Sequence, residues 1–100
     1  MSMNLSEKEI RIWNQARNCN CNNQDCWQNH RLCALCSGTI IWCAHESNQP
    51  GSRYAWNIDH IIPKSIGGSN RDENLQAAHV ACNQDKGDRF WQLVFIEEFI

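Results

Sequence analysis

Two short pairs constrain this chain more than any other feature: CALC, Cys33 to Cys36, and HVAC, His79 to Cys82. Each sets two soft metal ligands three positions apart, the first in a tight turn and the second at an expected helix start. Four such ligands suit one tetrahedral Zn²⁺. Seven Cys and four His stand in 100 residues. That length supports one small domain, taken as residues 1–100, and such a domain often needs a staple beyond its apolar core. The Cys count is odd, and the start MSMNLSEKEI has no apolar run of the secretory kind. Both observations point to metal ligation in a reducing compartment rather than to disulfides. Zinc on Cys33, Cys36, His79 and Cys82 would close a long loop and serve folding. The bland alternative is four buried, unliganded side chains.

Cys19, Cys21 and Cys26, with His30, could form a second zinc site. The CxC spacing is awkward for one tetrahedral ion but not forbidden, and Cys43 or His45 could substitute into the set. The competing reading is packed or exposed thiols.

Ser6 and Glu9 form a capping box, so NLSEKEIRIWNQAR reads as an opening helix, with Leu5 and Ile10 as a hydrophobic staple. It is expected to pack through Ile10 and Trp13. From Cys19 to His30 the chain is polar and Asn-rich, a loop unless a metal orders it. TIIWC, Thr39 to Cys43, is β-prone, and Pro50-Gly51 marks a turn. Tyr54 to Ile62 reads as a strand with Tyr54, Trp56 and Ile58 on one face. Pro63 ends it, and Gly67-Gly68 permits unusual backbone angles in the loop that follows. Leu75 to Ala78 reads as a partner strand, and His79 to Lys86 as a helix stopped by Gly87. The tail DRFWQLVFIEEFI is rich in large apolar residues, but too short and too charged to span a bilayer. It is expected to pack on the core or on a partner, either another protein or a second copy in a homodimer.

Charge weighs against a strong nonspecific grip on nucleic acid. The net charge is −2 and the pI about 6.0. Between Arg53 and Arg89 the basic Arg53, Lys64, Arg71, Lys86 and Arg89 are cancelled by Asp59, Asp72, Glu73, Asp85 and Asp88.

Within IDHIIP, Ile58 to Pro63, a carboxylate and an imidazole interrupt an apolar strand, where they are costly to bury without partners. Neighbours on a strand point to opposite faces, so Asp59 and His60 need a twisted or bulged strand end to reach one cleft. One helical step separates Asn83 from Cys82, so Asn83 can face the strand while Cys82 faces zinc. Asp59 and Asn83 offer hard oxygen ligands for Mg²⁺ or Mn²⁺, and His60 can serve as a general base on water. Singly, each has a plainer reading: a surface pair for Asp59 and His60, a turn cap for Asn74, a solvated helix residue for Asn83.

DHIIPKSIGG followed by ENLQAAHVACNQDKG resembles the HNH endonuclease motif of the ββα-metal nucleases, in its zinc-bearing branch. The resemblance covers roughly residues 33–87. It implies an α+β fold: a small zinc-stabilised, treble-clef-like ββα-metal domain, here with an added N-terminal helix and an apolar C-terminal segment. It further implies that His60 deprotonates the attacking water and that Asn74 orients the His60 strand or loop. Asn83, at a position where the family carries His or Asn, would bind the catalytic Mg²⁺ or Mn²⁺ with Asp59, and Lys86 would approach a backbone phosphate. One departure is His79, since the second zinc pair is often CxxC; His79 is assigned to zinc, though it could serve the catalytic metal instead.

The implied activity is metal-dependent hydrolysis of nucleic-acid phosphodiester bonds, with DNA as the expected substrate. The setting would be the cytoplasm of a bacterial or phage-infected cell, with no membrane role. Rival readings are a catalytically silent zinc-stabilised module that binds nucleic acid or protein, and an accessory nuclease that recognises substrate through a partner. With a phosphate grip of only Lys64, Arg71, Lys86 and Arg89, duplex binding should be weak and salt-dependent.

Overall fold

The computed structural model describes residues 5–19, 21 and 29–87. Cys26 and the apolar tail fall outside them. Helix α1 (Glu7–Gln15) is capped as its sequence requires. The Glu9 N–H donates to the Ser6 hydroxyl at 3.1 Å, and the Ser6 N–H donates to the Glu9 carboxylate at 2.9 Å.

The buried face of α1 corrects the expected one. Ile12 and Trp13 are 1% and 2% exposed, whereas Ile10 is 39% exposed. Glu9 explains the rotation, because it turns inward to meet Nε2 of buried His45 at 2.8 Å. With Leu5, Glu9, Ile12, Trp13 and Ala16 on the inner side, helical spacing leaves Ile10 outside. Burying Ile12 and Trp13 contributes roughly 1.5–3 kcal/mol each.

Strands β1 (His30–Leu32) and β2 (Thr39–Ile41) form an antiparallel hairpin with Arg31 opposite Ile40. The TIIWC run is strand only as far as Ile41; Trp42–Ala44 then make a 3-10 turn. Leaving the strand lets Trp42 join a cluster, edge-on to Trp13 at 5.3 Å and 6.1 Å from Trp56. The indole N–H of Trp56 donates to the Trp42 carbonyl at 3.1 Å, which satisfies its polar atom inside the core.

The second sheet pairs β3 (Trp56–His60) with β4 (Leu75–His79), antiparallel from Trp56 opposite His79 to His60 opposite Leu75. Helix α2 (Val80–Lys86) follows β4 directly. The result is the ββα order of a small α+β fold, with α1 and the first hairpin added in front. Small side chains at Ala77 and Ala78, both buried, let the second sheet, with its own Trp56, close on Trp13 and Ile40. The Ala34 N–H donates to the Ala77 carbonyl at 3.0 Å and ties the turn of the first hairpin to the second sheet. No helix among the described residues is long and apolar enough to cross a membrane.

Candidate active site and metal centre

The CxxC turn joins β1 to β2, and HxxC spans the junction of β4 and α2, so the two pairs meet where the two sheets abut. The ligand atoms of Cys33, Cys36, His79 and Cys82 all lie within 4.8 Å of one another. His79 Nδ1 is 3.3 Å from Cys36 Sγ and 3.7 Å from Cys82 Sγ. A tetrahedral ion with metal–sulfur distances of about 2.3 Å sets similar separations, roughly 3.5–3.8 Å.

Three local features favour a cation at this point. First, His79 Nε2 lies 2.7 Å from the Thr39 carbonyl, which can only accept, so the ring proton sits on Nε2 and Nδ1 faces the sulfurs unprotonated. Second, the N–H groups of Leu35 and His79 point at Cys33 Sγ and that of Gly38 at Cys36 Sγ, each at 3.3 Å. They stabilise thiolate charge. Third, burial pushes the Cys82 thiol up to about 12, reinforced by the Cys36 and Cys33 sulfurs beside it. Three thiolates could share this space only at high cost without a cation. The turn itself is tight: Ser37 takes a positive φ of 64°, and a Cβ on Gly38 would stand 3.3 Å from Cys36 Sγ and from the His79 ring. The Cys₃His set is compatible with structural zinc.

A smaller group lies apart from it. Cys19, Cys21 and His30 also bring their ligand atoms within 4.8 Å of one another. The expected substitutes do not join them. His45 is committed to Glu9 through Nε2 and accepts from the Ser47 N–H at 3.1 Å through Nδ1, and its ring packs edge-on against Trp56. Cys43 is exposed and belongs to neither ligand group.

The second sheet carries the other chemistry. An open cleft of about 240 Å³ is lined by Ile58, Asp59, His60, Pro63, Lys64, Ser65, Asn83 and Gly87. Asp59, His60, Asn83 and Lys64 are therefore together. No bulge is needed, because the β3–β4 ladder stays in register through His60. Asp59 is 2% exposed. Its two oxygens accept from Gln76 Nε2 at 2.9 Å, directly across the ladder, and from Lys86 Nζ at 3.0 Å. Asn83 donates its amide nitrogen to Asn57 Oδ1 at 2.9 Å, so the amide oxygen is the end of the side chain that can accept.

His60 Nε2 lies 2.8 Å from Asn70 Oδ1. An amide oxygen accepts, so the imidazole proton sits on Nε2 and Nδ1 is the basic nitrogen. Asn74, buried, grips the chain beyond His60 from both sides. Its Oδ1 accepts from the Ile62 N–H at 2.8 Å, while Nδ2 donates to the Ile62 and Ser69 carbonyls at 3.1 and 2.8 Å. Gly67 takes a φ of 99°, and a Cβ on Gly68 would fall 1.7 Å from the Ile62 carbonyl oxygen. That loop closes only on glycine.

Lys86 departs from the phosphate contact expected of it. It is 2% exposed, ion-paired with Asp59, and donates to the His60 carbonyl at 2.6 Å. Its stem is buried and its charge offsets that of Asp59, so it does not face a phosphate. Sequence reasoning also missed Asn70 and Gln76. Gln76 had a usable signal, since antiparallel pairing puts it opposite Asp59; Asn70 had none, because its reach depends on the path of a loop.

A protein-family comparison matches the HNH endonuclease model over residues 33–89. The chain belongs to the HNH endonuclease family. That span takes in both zinc-compatible pairs, the cleft residues and Asn74 of this HNH protein. No curated protein and no solved structure gives a significant match.

Proposed function

We propose that this HNH protein is a divalent-metal-dependent endonuclease that hydrolyses phosphodiester bonds in DNA, with zinc in a folding role. One observation carries the reading: His60 Nε2 lies 2.8 Å from the Asn70 amide oxygen, which leaves Nδ1 as the nitrogen able to accept a proton in a cleft shared with Asp59 and Asn83. His60 Nδ1 takes the proton of a water as that water attacks phosphorus. Asp59 and the Asn83 amide oxygen would hold Mg²⁺ or Mn²⁺, oxygen donors of the type those ions prefer. When bound, such an ion stabilises charge on the scissile phosphate and the leaving oxygen. Each Asp59 oxygen accepts one hydrogen bond from Gln76 or Lys86 and retains further acceptor capacity. Exposed Lys64 meets a backbone phosphate at the rim. Asn74 keeps the loop after His60 in place.

A second reading is favoured by Lys86, whose ammonium beside Asp59 weakens attraction for a divalent cation. On that reading the domain binds nucleic acid or protein without cutting. Plasmid nicking separates the two. Supercoiled DNA is expected to be relaxed by the zinc-replete protein with Mg²⁺ or Mn²⁺, and to stay intact with EDTA or with folded His60→Ala. A folded wild type that cuts no DNA under any of several metals leaves the binding module standing.

A further inference from the structure

The connection from α1 to β1 returns on itself. Asn18 bridges Arg31 in antiparallel fashion, and the Leu32 N–H donates to the Arg17 carbonyl at 2.9 Å. These contacts lay the chain after α1 along β1 and bring Cys19 and Cys21 beside His30, the first residue of that strand. Cys21 Sγ is 3.5 Å from His30 Nδ1, and Cys19 Sγ is 3.6 Å from Thr39 Oγ1 on β2. Two sulfurs and a ring nitrogen thus converge within 4.8 Å, on the far end of β1 from the Cys33 turn.

We propose that Cys19, Cys21 and His30 hold a second zinc ion, separate from the Cys₃His centre. The donor set is the soft N/S type that zinc selects. The intervening sequence NNQDCWQN, residues 22–29, offers little apolar surface apart from Trp27 to fasten such a connection. A single exposed thiol–imidazole hydrogen bond is a weak fastening, whereas a metal clip closes the loop outright. The fourth position is not supplied by the described residues. This site would pin the N-terminal helix to the hairpin, so β1 would run between two ions, and it stands or falls independently of nuclease activity.

The test is zinc counting on the full chain, reconstituted with Zn²⁺ alone and desalted. Two zinc ions per wild-type chain are expected, falling to one in Cys21→Ser and in His30→Ala. One ion in folded wild type overturns the site, as does retention of two ions by both variants. Alkylation mapping gives a readout that needs no variant. Cys21 and Cys43 are both exposed, so without a metal both are open to alkylation, and the imidazole beside Cys21 would if anything favour its thiolate. In zinc-loaded protein Cys21 is expected to react about ten-fold more slowly than Cys43. Equal rates in that sample reject the proposal.

Discussion

At the scale of single residues, the cleft depends on its hydrogen-bonding partners. Asn70 touches no reacting atom; it orients the His60 ring through Nε2. Asn70→Ala is expected to lower kcat for nicking about ten-fold, the worth of one such hydrogen bond, with KM unchanged. A merely destabilising change would instead reduce the active fraction, which melting in the same buffer would reveal. Lys86 and Asp59 are a buried pair, with side chains 2% and 3% exposed. Lys86→Met strands a carboxylate in the interior and is expected to cost about 3–5 kcal/mol. Lys86→Met combined with Asp59→Leu removes both charges and should recover much of that loss. Urea denaturation of the zinc-loaded variants measures both values.

Among the elements, α1 does more than cover the core. Its Lys8 donates to the Asn70 carbonyl at 2.5 Å, and Arg11 pairs with Asp72 at 2.8 Å. A helix outside the matched family span thereby braces the loop that orients His60. Its own anchorage is sensitive to pH through Glu9. Burial acts to raise the Glu9 pKa, but hydrogen bonds from the Ser6 backbone and hydroxyl, together with His45, outweigh it and leave the carboxyl below its ordinary value of 4.5. A depressed carboxyl stabilises the fold fully above that ordinary value, and its contribution is lost as pH falls through the folded-state value. The protection of α1 amides, taken relative to their intrinsic exchange rate at each pH, is therefore expected to fall on acidification below about pH 4.5, and Ser6→Ala, which costs about 1 kcal/mol, should blunt the pH response.

For the whole molecule, two kinds of metal would have separable effects. Zinc at the Cys₃His centre would join residues 43 apart, Cys36 and His79, across the two sheets. Structural zinc of this type carries about 10–16 kcal/mol of apparent binding energy. A chelator strong enough to strip it should abolish cooperative melting. Removing only Mg²⁺ or Mn²⁺ should stop cleavage while circular dichroism is unchanged. With a net charge of −2, duplex affinity is expected to be low and to fall steeply with added salt, read by fluorescence anisotropy.

The sequence by itself determined the ligand pairs, the cap of α1 and the order Asp59, His60, Asn74, Asn83. Each is a local matter of spacing, and chelation, capping and strand–turn–helix order obey local geometry. It also carried the ββα succession, because Pro63, Gly67-Gly68 and Gly87 punctuate it. The tertiary structure decided which face of α1 is buried, through Glu9 and His45, and which nitrogen of His60 is basic, through Asn70. It also turned Lys86 from an expected phosphate contact into the partner of Asp59, 27 residues away. These are pairings between segments that meet only after folding. No period or spacing announces them, since the cost of an unpartnered buried charge is set by where the chain returns.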